Sequence, residues 1–158
     1  MARGQRAGRL ILMAENEAAE ARTEKVLDST LESVDSAEEA VLRAAQQIGF
    51  DEDDMHKIGM SVRESMVNAV VHGNRYNARK KVWLSIAHTP QRLEVVIGDE
   101  GEGFNMDTLP DPLAEENLLR HSGRGLLLIQ AFMDEFQIRL RTPKGTEVKM
   151  VKYLAKSG

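Results

Sequence analysis

Residues 64 to 74 read Glu-Ser-Met-Val-Asn-Ala-Val-Val-His-Gly-Asn, with a carboxylate at Glu64 and a carboxamide at Asn68. On one helix, a four-residue spacing sets these side chains next to each other, roughly 6 Å apart at Cβ. A carboxylate can accept a proton and an amide oxygen can hold a hard cation, so the pair suits phosphoryl transfer. Alone, Glu64 would be an ordinary exposed acid; two glycine turns farther along the chain, in a fixed order, give it company. The first is Asp99-Glu100-Gly101-Glu102-Gly103, at the expected end of a strand. Its glycines clear the backbone for a flat ring, and a buried Asp99 carboxylate accepting from an exocyclic amine would select adenine over guanine. The second is Gly123-Arg124-Gly125 before an apolar run, where free backbone N–H groups and the helix dipole make an anion seat, with Arg120, His121 and Arg124 adding positive charge. Taken singly, the first could be a solvent-exposed acidic turn and the second a flexible connector.

These groups need a scaffold. Met55, Ile58, Val62, Met66 and Ala69 recur every three or four residues, the stripe of a helix packed on a core, while Ser61, Glu64, Asn68 and His72 fall on another face. Asp51 to Asp54 place acids at its start, and Gly73 is the expected C-cap. His72 reads as a satisfied helix-end histidine. An earlier helix carries Ala37, Ala40, Val41, Ala44 and Ile48, capped by Asp35 or Ser36 and closed by Gly49. Before it, residues 14 to 21 form a loose helix, and Val26, Leu27 and Leu31 suggest a strand. Val82, Leu84 and Ile86, then Leu93 to Ile97, read as an antiparallel hairpin whose turn exceeds two residues. Phe136, Ile138 and Leu140 pair with Val148, Met150 and Val151 as a second hairpin. Between them, residues 105 to 122 hold Pro110 and Pro112 and break any long helix; a connection of that length is a functional loop or a disordered one. The expected architecture is α+β, a two-layer sandwich with helices on one face of a mainly antiparallel sheet.

Composition narrows the classes further. At 158 residues and 42% hydrophobic content, the chain fits one domain with a substantial core. A net charge of -4 with mixed signs gives no basic footprint for direct nucleic-acid binding. Without cysteine there are no disulfides or thiolate metal sites, which suits a cytoplasmic protein. No apolar run approaches a membrane span, and the short run after Arg3, Arg6 and Arg9 falls below a signal-peptide core. Met13 is a possible alternative start. The histidines lack zinc spacing, Gly101 and Gly103 cannot supply EF-hand ligands, and Lys144-Gly145-Thr146 reverses the P-loop order.

The ordered set Glu64-x-x-x-Asn68, Asp99-x-Gly101-x-Gly103 and Gly123-x-Gly125-Leu126, over residues 24 to 152, resembles the N, G1 and G2 boxes of the Bergerat-fold (GHKL) ATP-binding superfamily. Within it the chain is most similar to the bacterial anti-sigma factor serine-protein kinases. The resemblance implies ATP/ADP and Mg²⁺ as cofactors, Glu64 as general base and Asn68 as the Mg²⁺ ligand. It places Asp99 on the adenine amine, Gly101 and Gly103 around the adenine pocket, and Gly123, Arg124, Gly125 and Leu126 at the phosphates. Thr146 would back adenine and Asp99 through water. Residues 1 to 21 would be an extension, 22 to 158 one ATP-binding kinase domain, and 105 to 122 its lid. Such a kinase dimerises, sequesters a sigma factor and phosphorylates a serine of an anti-sigma factor antagonist, without contacting nucleic acid or membrane. The alternative is a nucleotide-gated protein-binding switch without kinase activity. A histidine kinase catalytic domain would need a helical hairpin with a phosphoacceptor histidine, and the first twenty residues contain no histidine.

Overall fold

The computed structural model describes residues 20–102 and 125–155. Along the chain lie β1 (Ala21–Asp28), α1 (Leu31–Ile48), α2 (Glu52–Val67), a π-helical turn (Asn68–Gly73), β2 (Lys81–Thr89) and β3 (Arg92–Gly98). Then follow α3 (Gly125–Phe132), β4 (Glu135–Leu140) and β5 (Thr146–Tyr153). The strands form a five-stranded sheet in the order β1-β2-β3-β5-β4, every pair antiparallel. Buried residues from α1, α2 and α3, among them Val41, Ile58, Met66 and Ile129, share one core with Leu84, Val95, Ile97 and Met150 of the sheet. The fold is thus the expected two-layer α+β sandwich. Burial of each such side chain contributes roughly 1.5–3 kcal/mol, which fixes the helices on that one face.

Local chemistry explains the helix ends. Thr30 caps α1, its hydroxyl accepting from the Ser33 N–H at 3.3 Å, and Gly49 closes it with φ +100°. The cap therefore precedes the expected Asp35 or Ser36, and Leu31 opens a helix where a strand residue was expected. The threonine hydroxyl satisfies an orphan N–H well before Asp35 or Ser36 could. Asp51 caps α2 by accepting from Asp54 N–H at 2.8 Å. Ala21 lies in β1, paired with His88, so the expected loose helix does not extend to it; residues 14–19 lie outside the described ones. Thr89 pairs with Arg92, leaving Pro90 and Gln91 as a two-residue turn, shorter than expected because the strands stay in register to their ends. The second hairpin pairs Phe136 with Met150 and Ile138 with Val148.

The end of α2 departs most from its expected form. The Asn68 N–H is shared between the carbonyls of Glu64 and Ser65, and from there the helix widens into the π-helical turn. Gly73 lies inside that turn and is not the left-handed cap; the residues at positive φ are Arg75 and Tyr76, just beyond it. Single π turns of this kind concentrate at functional sites, and this one re-aims the last turn of the helix toward the loop after β3.

Asn74 secures that junction. It is 1% exposed, and its amide nitrogen donates to Ser29 Oγ and to the Lys81 carbonyl, both at 2.9 Å. Its oxygen accepts from the Glu100 N–H at 2.8 Å, while the Glu100 carboxylate accepts from the Lys81 N–H at 2.6 Å. One side chain thus ties the β1–α1 link, the start of β2 and the loop after β3 to the end of α2. Among the described residues no helix is long and apolar enough to cross a membrane. Asn74→Ala strands buried donors and acceptors on three segments and is expected to cost about 1–3 kcal/mol. The check is a urea midpoint that falls at unchanged slope.

Candidate active site

Asp99 follows the last residue of β3 and is 7% exposed. Its Oδ1 accepts from the Gly101 N–H at 2.9 Å and the Thr146 N–H at 3.2 Å, and its own N–H donates to the Thr146 carbonyl at 2.9 Å. Oδ2 lies against Gly73, 2.5 Å from where a Cβ on that glycine would stand. A Cβ on Gly101 would stand 2.4 Å from the Gly73 carbonyl oxygen, so the two backbones meet with no side chain between them. Gly145, at φ +111°, lies under the same bend, its would-be Cβ falling 1.9 Å from the Asp99 carbonyl oxygen.

Burial pushes the Asp99 carboxyl above the usual aspartate range, because the ionised form loses its water. The Gly101 and Thr146 N–H groups and the positive charges of Arg141 and Lys80 pull the other way. Arg141 is itself held in place, since its guanidinium stacks over the Trp83 ring, 4.1 Å from the centroid, and donates to the Asp99 carbonyl at 3.3 Å.

Glu64, one turn before the π segment, and Asn68, its first residue, meet the start of α3. A Cβ on Gly125 would stand 2.7 Å from Glu64 Oε2 and 3.6 Å from Asn68 Nδ2, so α3 approaches the carboxylate–amide pair by its backbone alone. Asn68 also lines, with Ser65, Asp99, Leu126 and Thr146, an open cleft. The cleft floor is apolar, with Ile97, Ile138 and Val148. Glu64 is half-buried beside Gly125, next to the lining residue Asn68.

A cation here would have few protein ligands. Among the described residues no group of three or more His, Asp or Glu could hold a metal. The amide oxygen of Asn68 is the atom that would hold a magnesium ion carried by phosphates, and the amide nitrogen beside it is buried without a hydrogen-bond partner, open to a phosphate oxygen. Magnesium characteristically takes one or two protein ligands, with substrate phosphates and water completing the shell.

Of the residues the sequence singled out, Asn68, Asp99, Leu126 and Thr146 line one cleft, Gly101 lies against Gly73 of that lining, and Gly125 brings Glu64 and Asn68 together. Gly103, Gly123 and Arg124, with Arg120, His121 and the expected lid at 105–122, lie outside the described residues. Thr146 reaches Asp99 directly through its backbone N–H. His72, read as a helix-end residue, is exposed and lines the cleft mouth with Arg75. Sequence reasoning passed over Asn74, Gly145 and Arg141. Gly145 looks like any hairpin glycine, and an arginine ending a strand carries no sign of stacking on Trp83. Asn74 offered one signal, an amide directly after the helix it was expected to follow.

The histidine kinase-like ATPase domain family matches residues 27–152. Anti-sigma F factors of Bacillus thuringiensis (strain Al Hakam) and Bacillus mycoides (strain KBAB4) are each 33% identical over 107 residues, spanning 66% of this chain and 73% of theirs. Among solved structures, the RsbU and RsbW domains of Rv1364c from Mycobacterium tuberculosis superpose with a TM-score of 0.62 at 18% identity. That likeness spans 87% of this chain but only 34% of that one, and it speaks to the fold. On the family match, the relatives and the site geometry together, the chain belongs to the histidine kinase-like (GHKL) ATPase superfamily, in the group of the bacterial anti-sigma factor serine-protein kinases.

Proposed function

We propose that this chain is an ATP-dependent protein serine kinase that acts as an anti-sigma factor. It would hold a sigma factor and phosphorylate a serine of an anti-sigma factor antagonist. The observation that carries the reading is the convergence of Glu64 and Asn68 with Gly125 on one side and the Asp99 bend on the other. That arrangement offers a phosphate-side amide and an adenine-side carboxylate in one cleft, with a base beside the amide. The similarity to anti-sigma F factors supports the choice of partner class. Residues 22–158 would form one kinase domain, with the lid between 105 and 122, in a cytoplasmic homodimer. β1, exposed along the sheet edge with Val26 61% exposed, offers that dimer a surface.

In this reading Asp99 Oδ2 accepts from the adenine amine, since Oδ1 is already engaged by two backbone N–H groups. Gly125 lets the α3 N-terminus reach the phosphates, where its N–H groups and Arg124 counter negative charge. Magnesium at Asn68 would supply further charge neutralisation. Glu64 takes the proton of the substrate serine as its oxygen bonds to the γ-phosphorus and the bond to the β–γ bridging oxygen breaks, leaving ADP. Positioning and charge neutralisation supply most of the acceleration in such transfers.

Glu64→Gln is expected to keep ATP binding while lowering phosphate transfer to an antagonist by roughly 10²–10⁴-fold. Labelled ATP with candidate antagonists measures this, and undiminished transfer removes Glu64 as base. Asp99→Asn is expected to weaken ATP by roughly 10–100-fold, the size of a charge-assisted hydrogen bond. Calorimetry reads it, and full retention refutes the adenine contact.

The same carboxyl sets two opposite pH dependences. Nucleotide affinity should fall as pH drops through Asp99's raised value, because the protonated acid no longer offers a free acceptor. Stability of the nucleotide-free protein should move the other way. Between the ordinary aspartate value and the raised one, the folded state holds more protons than the unfolded chain, so stability declines as pH rises. Asp99→Asn should remove that contribution, seen as the difference between wild-type and variant melting curves across acidic pH.

A further inference from the structure

On α2, Ser61 and Ser65 stand one turn apart, both in the core-facing layer, at 0% and 1% exposure. Ser61 satisfies itself in the usual way for a buried helical serine, donating to the Lys57 carbonyl at 2.8 Å. Ser65 does not. Its Oγ has no hydrogen-bond partner, and it lines the cleft shared by Asp99 and Thr146. Nothing in the packing of α2 asks for a hydroxyl there; alanine would fill the same space without leaving a buried polar atom bare.

We infer that Ser65 is a base-recognition residue whose hydroxyl donates to an unprotonated ring nitrogen flanking the adenine amine, directly or across one ordered water. The inference rests on the nucleotide reading of the cleft and deepens it. The edge of adenine beside its amine carries only lone pairs, at N1 and N7, so a partner there must donate. Asp99 is an acceptor when ionised, and the Thr146 and Gly101 N–H groups that reach into the bend are spent on its Oδ1. Besides the Thr146 hydroxyl, Ser65 Oγ is the buried cleft hydroxyl that the described residues leave without a partner, while the bare Asn68 Nδ2 lies beside Gly125 and Glu64. The unpartnered hydroxyl is thus left bare by the fold and satisfied by the ligand.

Ser65→Ala tests this with ATP, ADP and the 1-deaza and 7-deaza analogues of ATP, by calorimetry on the full chain. The variant is expected to lose about tenfold in affinity for ATP and ADP alike, the size of one hydrogen bond with its stranded partner. Wild type should lose a similar factor on one deaza analogue, and the variant nothing further on that analogue. Without nucleotide, the variant should melt no lower than wild type, since it sheds a bare buried hydroxyl. ATP affinity unchanged in the variant overturns the inference while leaving the nucleotide site standing. So does a loss that stays additive with both analogues, or one accompanied by a lower melting temperature without nucleotide. Wild-type protein that binds none of the four removes the nucleotide reading itself.

Discussion

Everything at the site depends on two stretches of backbone meeting without side chains between them. The Asp99 bend rests on the π-helical end of α2, with Gly101 over the Gly73 carbonyl and Gly145 beneath the Asp99 carbonyl. A methyl group at any of the three would occupy space already filled by backbone or by the carboxylate itself. Close contact is what buries Asp99, and burial is what pushes its carboxyl above the usual range. A group held in that condition gains more from a neutral donor than it would in water, because the low local dielectric strengthens each hydrogen bond it accepts.

Around that contact the scaffold is redundant in a directed way. Asn74 joins the loop on one side to the starts of α1 and β2, and Arg141, stacked on Trp83, fastens the other side from the open face of the sheet. Both act on backbone groups, so the carboxylate is positioned without its second oxygen being consumed. At the opposite end of the cleft the design is reversed. Gly125 brings α3 onto Glu64 and Asn68 by removing a side chain, and the Asn68 amide nitrogen stays bare. The cleft has an anchored end and a bare end, which suits a ligand with a rigid base and a charged tail.

The apolar stripes of α1 and α2, the alternation of β2 and β3, and the acids at the start of α2 were legible in the sequence because each is a local pattern that matches its element. So was the order of the chemical groups: Glu64 and Asn68 one helical turn apart, Asp99 at a strand end, and Gly125 at the start of α3. Local chemistry also produced the misreadings. Leu31 continues an apolar run and looks like strand, yet Thr30 at the preceding position supplies a cap and the helix begins there. Gly73 after a helix looks like a terminator, and only its contact with the Asp99 bend shows otherwise.

The sequence by itself therefore determined which groups are present, how they are spaced along each element, and which faces turn inward, since these follow from periodicity and capping. Tertiary structure decided what each is for. Gly73 and Gly145 take their roles from Asp99, which is 26 residues from one and 46 from the other. Asn74 takes its role from Ser29 and Glu100, and Arg141 from Trp83. Ser65 and Ser61 are the same residue type on the same helix, and only the neighbours that folding brings determine that one is satisfied and the other is not.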